Sequence, residues 1–251
     1  MQILCRCAAL YLVVFSFGLS ALHAQTTFYS RQNGNWSALT SWSTVSHSGA
    51  AAASLPTAAD IVFIGAGHTL TLNQSATVGM LNVTLGTLQY DNVAARDLTV
   101  SGDLRIDAGG TFTVNQVGAG LPNNLLLQGN VVCNGTWTMR PNLASDNFRA
   151  TVVFLTPALQ TITGTPLQIS LYRVLLNKAS RTGVVDCAVS LSMGDNAATL
   201  ENIDYSTPTF GVNGGTWRQS AGTISFGTAG QRIEVAGALH IVGTATMLFG
   251  Q

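Results

Sequence analysis

The sequence predicts an all-β chain wound as a right-handed parallel β-helix with an N-terminal cap. Three observations predict it. Past residue 60, apolar and polar residues alternate in short runs rich in β-branched and aromatic side chains and cut by Gly and Asn, as in IVFIGAGHTLTLNQ (61–74), RDLTVSGDLRID (96–107), GTFTVN (110–115) and GTISFG (222–227). No long stretch spaces its apolar residues by three and four, as an amphipathic helix would. Three passages then share one scheme of two alternating apolar positions, a Gly, two more apolar positions and a Gly turn: LTVSGDLRIDAGGTF (98–112), LLLQGNVVCNGTW (125–137) and IEVAGALHIVGTAT (233–246). VNGGTW (212–217) repeats the turn alone. The first two copies lie about one coil apart, and a coil can bury its inner face only by stacking on its neighbours. An antiparallel β-sandwich is the alternative.

Taken in order, residues 1–24 are expected to be a signal peptide. Arg6 supplies a positive start, AALYLVVFSFGLSAL (8–22) is too short to span a bilayer comfortably, and Ala24 suits the position before a cut. Residues 25–60 carry Trp36 and Trp42 and an Ala/Ser-rich patch; the two indoles are expected to pack over the open end of the core as a cap, which a solenoid needs to block edge-to-edge pairing. Residues 61–251 are expected to form the coils. The chain stops at TATMLFGQ, inside a β pattern, so the expectation is the front part of a longer protein. No second apolar segment follows the leader, so no membrane span is expected in the mature chain, and an extracellular or cell-surface location follows.

Composition narrows the partners. Of 251 residues 47% are hydrophobic and 9% charged, the formal net charge is zero, and Lys178 is the only lysine. Such a chain is a poor electrostatic partner for nucleic acid or an anionic membrane. The abundant Thr, Ser, Asn and Gly point instead to weak, repeated, uncharged contacts.

Alternation assigns the faces, because successive side chains on a strand point to opposite sides. Leu104 and Ile106, Val131 and Cys133, and Leu239 and Ile241 are expected to form one inner ladder. Cys187 shares a face with Val185, Val189, Leu191 and Met193 and reads as core. A disulfide to Cys133 would need Cα atoms within roughly 7 Å, whereas about two coils, roughly 10 Å at the usual strand spacing, separate them. Two buried free thiols are expected.

The candidate chemistry is sparse. Asp103, Arg105 and Asp107 sit at alternate positions, pointing outward from Leu104 and Ile106; two carboxylates around an arginine could grip a metal or do acid–base work. Their counterparts in the other copies are Asn130, Val132 and Asn134, then Ala238, His240 and Val242, so no neighbouring coil adds a carboxylate. The pattern reads as a solvated strand face, short of the six to eight oxygens that calcium prefers. His240 also faces outward and joins these three as a candidate binding residue. His47 and His68 lack zinc spacing, and neither a phosphate-binding Gly loop nor a nucleophile elbow is present. No catalytic residue, metal site or cofactor is assigned. Trp137 and Trp217, both after a Gly-Thr turn and aligned with Phe112, could stack on sugars from outside; an interior stack is the preferred expectation.

These residues also resemble a known family. NGNWSALTSW followed by LPTAADIVFIGAGHTLTLNQSATVGMLNV (within 33–83) is similar to the start of the eight-glycine extracellular domain and related bacterial β-helix modules, with Trp36, Trp42, Pro56, Asp60, Gly65 and Gly67 fitting its pattern. Ala59 departs from it, standing where that pattern commonly has Gly. VVFLTPALQTITGTPLQISLYRVLLNK (152–178) resembles a Q-T-I-x-G unit of large secreted Bacteroidetes surface proteins. The resemblance implies export, a β-helix, a C-terminal sorting domain beyond this chain, and extracellular ligand or carbohydrate binding; no catalytic residue carries over. The expected function is therefore non-catalytic surface adhesion or extracellular, possibly glycan, binding. A β-helix polysaccharide lyase or glycoside hydrolase, with Asp103, Arg105 and Asp107 in the cleft, is one alternative; a passive stalk presenting downstream domains is another.

Overall fold

Buried and exposed side chains alternate along strand after strand, as in Ile61–Ile64, Thr69–Leu72, Thr87–Tyr90 and Thr111–Val114. The computed structural model describes residues 24–91, 93–115, 122–139, 149–178, 182–193, 209–226, 232–235 and 238–249. These residues are all-β apart from one short 3-10 turn, and their strands form three sheets of ten, nine and seven strands. From Ile61 onward the chain visits the first, second and third sheets in strict rotation, beginning Ile61–Ile64, Thr69–Leu72, Ala76–Val78 and then Met80–Val83, Thr87–Tyr90, Asp97–Val100. One passage through the three sheets makes a circuit. Each strand pairs in parallel with its counterpart one circuit earlier and later, a topology compatible with a β-helix. The antiparallel sandwich is excluded, because the only antiparallel pairing among the described residues joins Thr27–Ser30 to Trp42–Ser43. Parallel strands need long crossovers, and here the other two sheets supply the crossover.

The inner faces of the three sheets meet in one apolar core. In the first sheet Leu81, Leu104, Val131, Ile162 and Cys187 stack in one column, and Val83, Ile106 and Cys133 in the next. The Leu104/Val131 and Ile106/Cys133 alignment read from sequence is therefore the real register. The third copy differs. Gly164, at φ +118°, would place a Cβ 2.1 Å from the Cys133 carbonyl, so it lies across from Cys133 with no side chain to add to that column. Later strands gain an inner residue on their upstream side, giving the column Gln160, Val185, Trp217, Leu239. Ile241, not Leu239, continues the Leu104 column, through Cys187 and Gln219. A shift of two leaves every face unchanged, which is why the pattern hid it. Ile241 is 38% exposed rather than core, because Ala238–Ile241 is the outermost described strand of its sheet. Leu239 is partly buried against the core.

Cys133 and Cys187 are free and buried, two strands apart and in different columns. Burial pushes both thiols up to about 11, so neither is a thiolate near neutral pH.

Toward the N-terminus, Thr27–Ser30 extends the first sheet beside Ile61–Ile64, and Trp42–Ser43 closes that edge. Trp36 and Trp42 are fully buried, edge to face at 4.8 Å, with the Trp42 indole N–H donating to the Trp36 carbonyl at 2.8 Å. Asp60 ties this segment down, accepting from the Thr26 and Thr57 backbone N–H groups at 2.9 and 2.7 Å. The expected leader lies outside the described residues except for Ala24.

Candidate functional site

The residues singled out for chemistry are scattered along outer faces. Arg105 pairs with Asp107 at 2.6 Å, both partly open to solvent. Asp103 turns away from them and accepts the Asn130 backbone N–H at 2.8 Å. Asn130 repeats the device one circuit on, accepting from the Thr161 backbone N–H at 2.9 Å, so Asp103 begins a ladder of turn contacts. The two carboxylates thus do not converge on a common point. His240 is exposed on Ala238–Ile241, opposite Arg218. Arg218 is engaged by Asp186; burial works to raise the Asp186 carboxyl, but Arg218 and the Ser220 hydroxyl outweigh it and hold it below its ordinary value.

His47 and His68 do come together, their ring centroids 5.9 Å apart. Both donate from Nδ1 to the Ser30 carbonyl, at 2.6 and 2.9 Å. Ser30 is fully buried and its hydroxyl accepts the Gly65 N–H at 3.0 Å. A hydroxyl so enclosed cannot meet a substrate; the cluster fastens the first strand to the 44–49 loop and the turn before Thr69. Among the described residues no three His, Cys, Asp or Glu side chains gather as a metal would require. No described helix is long and apolar enough to cross a membrane.

All four tryptophans are fully buried, so none is a platform for sugar stacking. Trp137 lies between Phe112 and Ile169 in the second sheet, as the turn pattern implied. Trp217 does not join it: it sits in the first sheet between Val185 and Leu239, edge-on to Phe154 at 6.2 Å. The shared Gly-Thr-Trp string precedes strands of two different sheets, a distinction that local sequence does not carry.

One residue with unusual surroundings had only its rarity to announce it. Lys178 is 4% exposed, and its ammonium donates to the Thr156 and Ala158 carbonyls and to Gln160 Oε1, at 2.7, 2.8 and 2.9 Å. Gln160 in turn donates to the Leu127 and Gly129 carbonyls, so one buried lysine and one buried glutamine bind several circuits at a corner. All three lysine partners are neutral, and burial lowers Lys178 to about 8 from the ordinary 10.5. Between those values the unfolded chain still holds a Lys178 proton that the folded chain has released, so the Lys178 contribution to stability rises with pH across that window. The raised Cys133 and Cys187 thiols work the other way above about 9. Below about 8 both states are protonated and the burial penalty stands in full. The difference in urea midpoint between wild type and Lys178→Met, measured at pH 8 and at pH 10.5, isolates this contribution and is expected to grow in favour of wild type; a difference that stays flat would contradict the assignment.

Among the described residues, a groove of about 480 Å³ lies at the corner where first-sheet strands pass to second-sheet strands. It crosses three successive circuits, through the turns after Gln160–Thr163, Val184–Cys187 and Thr216–Gln219. Its polar lining includes Gln168, Ser190, Ser192, Thr223 and Ser225, and Leu167, 75% exposed, forms an apolar lip. Ser190 accepts the Thr223 N–H at 3.0 Å and Ser192 donates to the Ile169 carbonyl at 3.2 Å, which fixes two of the hydroxyls. Among the described residues no titratable side chain lines the groove. Its described side chains can exchange hydrogen bonds with a neutral polar molecule. The sequence showed these residues only as turns.

Comparison with protein-family models, with curated proteins and with solved structures finds no match to this chain.

Proposed function

We propose that this chain is a right-handed parallel β-helix of the eight-glycine extracellular type, exported and non-catalytic, that holds an uncharged extracellular polymer, a neutral glycan, in the corner groove. The groove's described lining carries the reading: an amide, several hydroxyls and several apolar side chains, all uncharged, drawn from three circuits. A repeated groove suits a repeating ligand, since each circuit adds a weak contact to the same chain. Strict rotation through three parallel sheets supports the β-helix, and the glycines buried against neighbouring backbone support the resemblance. Antiparallel closure of the first sheet by Trp42–Ser43, over the Trp36–Trp42 pair, supports the cap.

The test is retention on neutral-glycan arrays and on whole cells. Gln168→Ala with Thr223→Tyr, which removes one donor and fills the groove, is expected to lower glycan retention about tenfold while the far-UV spectrum stays unchanged. Asp103→Ala with Asp107→Ala is expected to change nothing, since neither residue lines the groove. Absence of wild-type binding on either surface, or full binding by the filled variant, overturns the reading.

A further inference from the structure

The outer face of the second sheet carries a feature that the groove does not use. Strands Thr69–Leu72, Thr87–Tyr90, Thr111–Val114 and Thr136–Thr138 lie in unbroken parallel register. One outward column reads Thr69, Thr87, Thr111, Thr136; the next reads Thr71, Gln89, Thr113 and, through a 2.9 Å hydroxyl–hydroxyl bond, Thr138. Every position on these strands that points away from the core is threonine except Gln89, with Thr138 itself buried at 8% exposure. The lattice repeats at about 4.8 Å across the strands and about 6.6 Å along them.

A solvent-facing strand surface often favours threonine, but the same fold supplies a comparison. Outward positions of the first sheet include Arg105, Asp186 and Arg218, and those of the third include Asp97 and Arg173. The four second-sheet strands carry no charge and no aromatic ring on that face. The two columns also differ. In the second, Gln89 donates to the Thr71 hydroxyl at 3.1 Å and Thr138 bonds Thr113, so the row braces itself. In the first, none of the Thr69, Thr87, Thr111 or Thr136 hydroxyls has a side-chain hydrogen bond among the described residues. Branching at Cβ restricts χ1, so each hydroxyl and methyl keeps one position without a further ordering cost.

We propose that this face is an ice-binding surface whose ligand is the ordered water lattice of ice. A flat ligand with a fixed two-dimensional repeat of hydrogen-bonding oxygens is what a rigid, uncharged, two-dimensional array of hydroxyls and methyls matches. The hydroxyls continue the water network, and the methyls occupy the spaces between without binding water strongly. A soluble sugar would find here neither a ring to stack on nor a concavity to enter. The proposal does not rest on the groove, which lies on later circuits.

The full chain is tested by ice recrystallisation in sucrose and by ice shaping at the growing crystal face. It is expected to arrest recrystallisation at concentrations where serum albumin does not. Thr87→Tyr with Thr111→Tyr, both outward, breaks the lattice at its centre and is expected to require about tenfold more protein for the same arrest, with an unchanged urea midpoint as the control for folding. Thr87→Ser, which keeps the hydroxyl and loses the methyl, is expected to fall between. The filled-groove variant is expected to match wild type, which separates this surface from the glycan site. Activity is expected to be flat with pH, because no titratable group lies in the array. Wild type no better than albumin, a folded tyrosine variant with full activity, or loss of glycan retention in place of ice activity in that variant overturns the proposal.

Discussion

Trp137→Ala is expected to cost about 4 kcal/mol of stability, the range for emptying an aromatic site in a packed core. The indole is fully buried, and its column runs Leu70, Leu88, Phe112, Trp137, Ile169 without a break. Neighbouring circuits are bonded to each other above and below it, so they cannot collapse into the void without giving up ladder hydrogen bonds. Trp137→Phe is expected to recover most of the loss. Phe112 already occupies the equivalent position one circuit earlier, and the Trp137 indole N–H is buried without a hydrogen-bond partner among the described residues. Removing an unsatisfied donor offsets part of the lost contact area. Urea midpoints for the two variants check this ordering; an alanine variant as stable as the phenylalanine variant would refute the packing account.

Gly129→Ala is expected to be nearly as damaging, by about 3 kcal/mol, through overpacking. A Cβ at Gly129 would stand 2.2 Å from the Gly102 carbonyl oxygen, and one at Gly102 would stand 2.6 Å from that of Gly79. Backbone rests on backbone at this corner circuit after circuit, and only glycine allows it. Gly135 is equally confined, with the Asp107 and Gly110 carbonyls 2.3 and 2.4 Å from the position of its Cβ. Gly67 is the contrast: its φ is +76° but nothing lies within 4 Å, so Gly67→Ala bears only the dihedral strain, about 1 kcal/mol. Thermal melts of the pair distinguish contact from conformation; equal losses would show that crowding at the corner is not what selects Gly129.

Both sites lie in repeats that are legible in the sequence. The repeated Gly and the flanking apolar pairs in 98–112 and 125–137 sufficed to align Leu104 with Val131 and Ile106 with Cys133. The same pattern misplaced Leu239 and Ile241 by one inner position, because a slip of two residues preserves every alternation. It paired Trp217 with Trp137 because a turn string does not state which sheet follows it. Asp103 and Asp107 looked like partners and are not: one bonds to the next circuit and the other to Arg105. The groove, the lysine clasp and the threonine lattice had little local signature, since each is made by residues from different circuits.

The sequence by itself determined what is local. It set the β class, the faces of the strands, the glycine turns, the burial of Cys133 and Cys187 and the absence of a strong net charge, all of which follow from side-chain chemistry at a period of two. Tertiary structure alone decided the register between circuits and the sheet to which each strand belongs. Register is a property of two strands, fixed by where backbones can touch and side chains can stack. The corner groove and the threonine face are both built across such contacts.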